Sequence, residues 1–342
     1  MESFKDCFIN DSTCGNRIIR AHILSQAATM SLIKGDTPGG AKVVHLGNLD
    51  EELSKKRPKL IGWKKASSHH CFCDKHDNDL FAEIENGNSI DLNNIRQLFV
   101  ISLRSFAYSY YRAKGARNRY NTKIDTKEGI WNELTKMLQS GRGQYKPEGK
   151  TLDFDFWAFE TIRQKFLDLL SRKQFDGLDY WSCEIPMKFP IASAGVLMAR
   201  MTDPSQSIPV FLSYSGETPL VTPPAIILTV LPDNKDRTII IFGILKSDHN
   251  ARMVLDKILR LTGVEFRRAI SSIIIGTSNE NTFLNPDLWD FIQNEGGEEK
   301  IIEEINDNSR LDLISIGPYP VKQSSFDLFD PKYSCKSLDI PE

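Results

Sequence analysis

The sequence has little that would place it in a membrane or a disulfide scaffold. None of its 342 residues fall in an apolar run of the roughly eighteen that a spanning helix needs, and the best runs, such as Thr238 to Leu245, are strand-sized. The opening residues, Met1 to Cys7, are polar and charged instead of basic then apolar, so no secretory leader is read there and a cytoplasmic protein without membrane partners is expected. Six cysteines are too few for a disulfide framework, and in a reducing compartment clustered thiols read as metal ligands. A phosphate-binding glycine loop, a dinucleotide fingerprint, a Ser-x-Gly elbow and internal repeats are all missing. Charge selects no partner either, with 43 Lys/Arg against 45 Asp/Glu.

What is present is unevenly spread. Residues 1–76 hold twelve Lys/Arg against eight Asp/Glu, whereas residues 286–342 hold five against thirteen. Four of the six cysteines and five of the six histidines also lie in those first 76 residues. An α+β fold in three parts is expected. Residues 1–90 form an N-terminal zinc-binding module, 91–172 a helical segment rich in basic and aromatic residues, and 173–342 an α+β domain with a mainly antiparallel sheet.

Within the first part, residues 34–66 carry Gly and Pro punctuation and a basic tract, Lys55 to Lys59, without sustained periodicity, and read as a long excursion between two functional elements. Apolar positions at three-and-four spacing predict helices over 95–111 and 154–171, with the best internal linker at Gly141 to Gly149. Beyond residue 175 the pattern predicts strands at 192–199, 208–213, 225–231, 238–245 and 271–276, and a helix at 251–261. Pro232-Asp233-Asn234 marks a hairpin turn, Asp248 a helix cap, and Asn285-Pro286 a cap with proline at the first helical position. Residues 320–342 read as a weakly ordered tail.

The informative cluster comprises Cys7 and Cys14, then Arg20 to Ser25, then Cys71 to Phe81 (CFCDKHDNDLF). Two knuckles of soft ligands separated in sequence can converge on one tetrahedral Zn²⁺, which needs four N or S donors. Cys7, Cys14, Cys73 and His76 are the expected four, with Cys71 as a substitute for one of them.

This layout resembles the HNH, or ββα-metal, nuclease family, in its members with a structural zinc. There a cysteine pair precedes a hairpin whose first strand bears a histidine, and a second knuckle opens a metal-binding helix. Ala21-His22-Ile23 falls where that family has its histidine, and Cys73 to Asn78 where it has the knuckle and the metal-binding residue. The resemblance covers residues 5–86. It implies a phosphodiester hydrolase, DNA before RNA, with His22 as the base that activates water and Asp77 and Asn78, with Asp79 nearby, as oxygen donors to Mg²⁺ or Mn²⁺. By analogy, members of this size are often restriction-like or anti-phage effectors.

Two departures stand out: Ala21 occupies the place of a frequent carboxylate, and Asp77 that of the usual His or Asn. Asn48 is the single asparagine between Asn16 and Asn78 available to orient the histidine. His69, His70 and His45 read as surface residues. A second reading is therefore a non-catalytic zinc knuckle that binds nucleic acid or protein, and a protein partner or homo-oligomer fits either. Residues 96–123 hold seven basic residues and no acidic one. Uncompensated charge of that kind suits a phosphate backbone, so Arg104, Arg112, Lys114, Arg117 and Arg119 are expected to bind nucleic acid along one face of the first helix.

Overall fold

In the computed structural model, residues 6–15, 17–50, 55–85, 89–124, 148–198, 224–276, 279–307 and 321–340 are described. Strand β1 (Ile18–His22) leads through Ser25, whose side chain accepts from Ala28 N, into a π-helical turn at Gln26–Met30. Then come β2 (Gly35–Thr37), β3 (Gly40–Asp50), β4 (Lys55–Gly62), β5 (Ser68–Cys73) and helix α1 (Asp74–Glu85). Two long helices follow, α2 (Ile95–Ile124) and α3 (Glu148–Ser171), and then β6 (Leu178–Ile185), β7 (Ile191–Met198), β8 (Ala225–Asp233) and β9 (Arg237–Leu245). The chain continues through α4 (His249–Leu259), α5 (Gly263–Gly276), β10 (Thr282–Leu284), α6 (Pro286–Asn294) and α7 (Glu298–Asn306). The fold is mixed α and β, and all its strand pairs are antiparallel among the described residues.

Eight strands form one sheet, ordered β2-β3-β10-β7-β8-β9-β6, with β4 added on β3. Residues 34–66 are thus not an excursion. They supply three strands, and β10 couples β3 to the C-terminal half through Phe283↔His45 on one side and Phe283↔Ala192 of β7 on the other. The sheet is covered on both faces, which explains why β8 is apolar without alternation and buried at every position. Ile227 and Leu231 face α2 and the small β1–β5 sheet, whereas Ile226, Leu228 and Val230 face α4 to α7.

Helix α2 lies at the centre of the first layer and is buried on all sides from Leu98 to Tyr108. Gly243 of β9 lets it approach closely, since a Cβ there would meet Ser102 Oγ at 2.9 Å. Phe106 packs against Phe8, Phe159 and Phe166 with ring centroids 6.0, 5.8 and 5.1 Å away.

Several expectations need correction. Residues 271–276 end helix α5 and are not a strand; the burial of 271–275, Ser271 and Ser272 included, comes from packing between the sheet and 321–340. Those last residues are not a loose tail, because Phe326, Leu328, Phe329 and Tyr333 are buried in the second core. The hairpin of β8 and β9, and the caps at Asp248 and Asn285, are as expected, with Asp248 accepting from Ala251 N and Asn285 from Asp287 N. The strand expected at 208–213 and the Gly141 to Pro147 part of the linker lie outside the described residues.

Removing the ring that joins α2 to both its neighbours should be costly. Phe106→Ala is expected to destabilise by about 3–5 kcal/mol, read as a lower urea midpoint at unchanged m-value.

Candidate metal centre and the groups around His22

The N-terminal loop has no regular structure to carry it to the helix; Phe8 draws it in. Its ring is fully buried against Phe72 and Tyr110, its N–H donates to Cys71 O at 2.8 Å, and its carbonyl accepts from Arg163 Nη2 at 2.6 Å. Tyr111 donates to Asp6 O, and Lys114 pairs with the Asp6 carboxylate. Cys7 and Cys14 are thereby brought to the junction of β5 and α1, where Cys73 ends the strand and His76 lies in the first helical turn, with the His76 N–H donating to Cys73 Sγ.

The four ligand atoms all lie within 4.8 Å of one another. His76 Nδ1 is 3.4, 3.6 and 3.2 Å from the sulfurs of Cys7, Cys14 and Cys73. A tetrahedral ion with metal–sulfur bonds of about 2.3 Å and metal–nitrogen bonds of about 2.0 Å sets its ligands roughly 3.5–3.8 Å apart, so these four atoms could hold a metal ion. The surroundings suit one. Backbone N–H groups of Gly15 and His76 donate to Cys73 Sγ at 3.2 and 3.4 Å, and Cys73 N–H donates to Cys7 Sγ at 3.4 Å. On the far side of the imidazole, Nε2 meets Thr13 Oγ1 at 3.1 Å and Asp11 Oδ1 at 3.6 Å, the carboxylate–histidine arrangement that fixes a ligating ring. Burial pushes the Cys7 thiol up to about 12, a cost that a cation removes. At Cys73 burial also opposes ionisation, but the N–H bonds from His76 and Gly15 outweigh it and the thiol is lowered. Cys71 stands apart: buried, with its thiol pushed up by that burial, it donates to His69 O at 3.8 Å and is not one of the four.

Helix α1 follows β5 directly, and Ser25 Oγ donates to Glu85 at its last residue at 3.1 Å, so β1, β5 and α1 form a ββα unit. His22 ends β1, and its Nε2–H donates to Lys64 O at 3.3 Å. Asp77 sits one residue beyond the last metal ligand. Burial, and Glu85 nearby, raise its carboxyl above the usual range, while the charges of Arg104 and His22 pull the other way. Asn78 is exposed on the same turn, as is Asp79, whereas Asn48 lies on β3, where its side chain donates to Leu49 O at 3.2 Å.

No family model, curated protein or solved structure matches this chain.

The basic residues of α2 are placed differently from expectation. Arg104 is 2% exposed; it pairs with Glu85, lies 3.5 Å from Asp77 Oδ1 and stacks over Phe81 at 4.3 Å, so it cannot reach a phosphate backbone. Its Nε is buried without a partner. Arg112 pairs with Glu280, Lys114 with Asp6, and Arg117 lies over Phe156 at 4.9 Å; Arg119 is exposed. The missing signal was available in part, because Arg104 is the one charge among residues 97–109, an isolation typical of a buried position.

The histidines were also misplaced as surface groups. His45 stacks on Phe283 at 5.1 Å and donates to Glu280 O at 2.9 Å, and His69 packs at a tilt against Tyr108 at 4.5 Å. Burial, with Arg112 adding to it, lowers His45 to about 4 and His69 to about 3. His70 lies half-buried in β5.

Two measurements check this description. Cys73→Ser should drop the bound metal from about one per chain toward zero by elemental analysis, while Cys71→Ser should retain it. A folded-state histidine held below its unfolded value of 6.5 favours the neutral ring, so its stabilisation is complete above pH 6.5 and is lost as pH falls toward 4. At ~1.4 kcal/mol per pH unit for such a group, His45→Gln should lose about 2 kcal/mol less than the parent between pH 6.5 and 4.5 in unfolding titrations. Parallel curves for the two proteins would exclude that role.

Proposed function

We propose that this protein is a zinc-stabilised, metal-dependent nuclease that hydrolyses phosphodiester bonds of nucleic acid, DNA before RNA. One observation carries the reading: the ββα unit of β1, β5 and α1 has a Cys₃His quartet at its Cys73 end, with His22 at the end of β1 and Asp77 in the first turn of α1. Three thiolates and an imidazole with no open position are a closed donor set suited to structural Zn²⁺. His22 is the general base: the bond from Nε2–H to Lys64 O leaves Nδ1 to take a proton from water. Asp77 and Asn78 are the oxygen donors for a hard divalent ion, Mg²⁺ or Mn²⁺, which when bound would supply the charge that stabilises the leaving oxygen. Arg104 holds Asp77 and Glu85 together from the buried side, so it positions the carboxylate and touches no substrate.

A second reading, a non-catalytic zinc knuckle that binds nucleic acid or protein, has its own support. Ala21 is 2% exposed where the resembled family often has a carboxylate, and Asp77 already faces a guanidinium.

Cleavage separates the two. With Mg²⁺ or Mn²⁺ the protein is expected to nick plasmid DNA, and His22→Ala should slow this by roughly 10²–10⁴-fold with bound zinc and unfolding midpoint unchanged. Undiminished cutting by His22→Ala excludes the imidazole as base, and no cutting of DNA or RNA with either ion leaves the binding reading.

A further inference from the structure

The positive charge of α2 is largely matched by acids from elsewhere in the chain, but that of β4 is not. β4 is an edge strand, paired with β3 alone, and its alternation sorts its cations. Lys56 turns toward Glu280, 2.6 Å away. Arg57 and Lys59 alternate with it, both exposed and paired with Asn48 and His45 of β3, which bring no negative charge. The strand then runs into the turn at 63–67, where Lys64 and Lys65 are exposed and the Lys64 carbonyl receives the Nε2–H of His22. Lys34 joins that end, lying 4.8 Å over the Trp63 ring, with Lys64 at 5.9 Å from the same ring. Among the described residues, none of Lys34, Arg57, Lys59, Lys64 and Lys65 has an acidic partner.

We infer that the exposed cations of β4 and the turn after it, from Arg57 through Lys59 to Lys64 and Lys65, form the surface that receives a nucleic acid backbone and leads it to His22. This rests on the nuclease reading for its destination, while the binding itself does not. The spacing fits the partner. Same-face side chains of a strand recur about 6.8 Å apart, so Arg57 and Lys59 present separate charges that long side chains can bring to different phosphates of one backbone. Lysine on an exposed edge also blocks edge-to-edge pairing, but that role creates no salt dependence in nucleic acid binding.

The test uses full-length protein carrying His22→Ala, so that the probe survives, and a fluorescent DNA duplex titrated between 50 and 200 mM salt. Arg57→Gln, Lys59→Gln and Lys64→Gln combined should reduce the slope of log affinity against log salt by about 0.9 per lost contact, close to three in all, and weaken low-salt binding at least about tenfold. Arg112→Gln with Lys114→Gln, on α2, should leave the slope unchanged. An unchanged slope in the β4 variant, a loss confined to the α2 variant, or no DNA binding by the parent would overturn the inference. Cleavage is scored separately on protein with native His22. Cutting with an unaltered slope removes the β4 surface alone, and a reduced slope without any cutting removes the nuclease reading and leaves β4 as a binding face.

Discussion

The arrangement depends on bringing two segments some sixty residues apart onto one point. Loop 6–15 has no regular structure of its own, and its order comes from Phe8 filling a gap among Phe72, Phe106 and Tyr110, and from carbonyls that satisfy Arg163. Three thiols and an imidazole are packed together at that point. Without a cation such a cluster is unfavourable, because a buried thiolate is poorly solvated and a buried thiol makes weak hydrogen bonds. With one, each donor gains a strong bond and the loop is fixed to α1. The position of that helix, and so the separation of Asp77 from His22, follows.

The same economy governs charge around α2. This helix is enclosed by α1, α3 and the sheet, so its one central arginine must be neutralised from within, and Glu85 and Asp77 do this from α1. Farther along, Glu280 gathers Lys56 and Arg112 while its carbonyl accepts from Tyr108 and His45. These acids come from positions distant in sequence, so a basic stretch without local acids says little about its net field in the folded chain.

That explains which features could be read from the sequence. The candidate ligand quartet was legible because metal chemistry restricts the residue types and because Cys73-x2-His76 is a local spacing across one strand-to-helix junction. The β8–β9 hairpin and the Asn285 cap were legible for similar reasons, since turn and cap chemistry act over a few residues. Residues 34–66 were misread because β3 and β4 owe their strand character to pairing with each other and with β10, more than two hundred residues away. Residues 271–276 were misread because a fully buried helix end has no polar face to betray its period. The half-buried His45 and His69 escaped for want of any local sign that a phenylalanine or tyrosine would cover them.

The partnership of β3 with β10 bears on how the chain is made. A ribosome adding roughly 5–20 residues per second reaches Thr282 some 10–50 s after Asp50. Through that interval the β3 edge later filled by β10 has no mate, and the first half emerges with a bare apolar flank. Strand order alone thus delays closure of the central sheet until the chain has been made past Leu284.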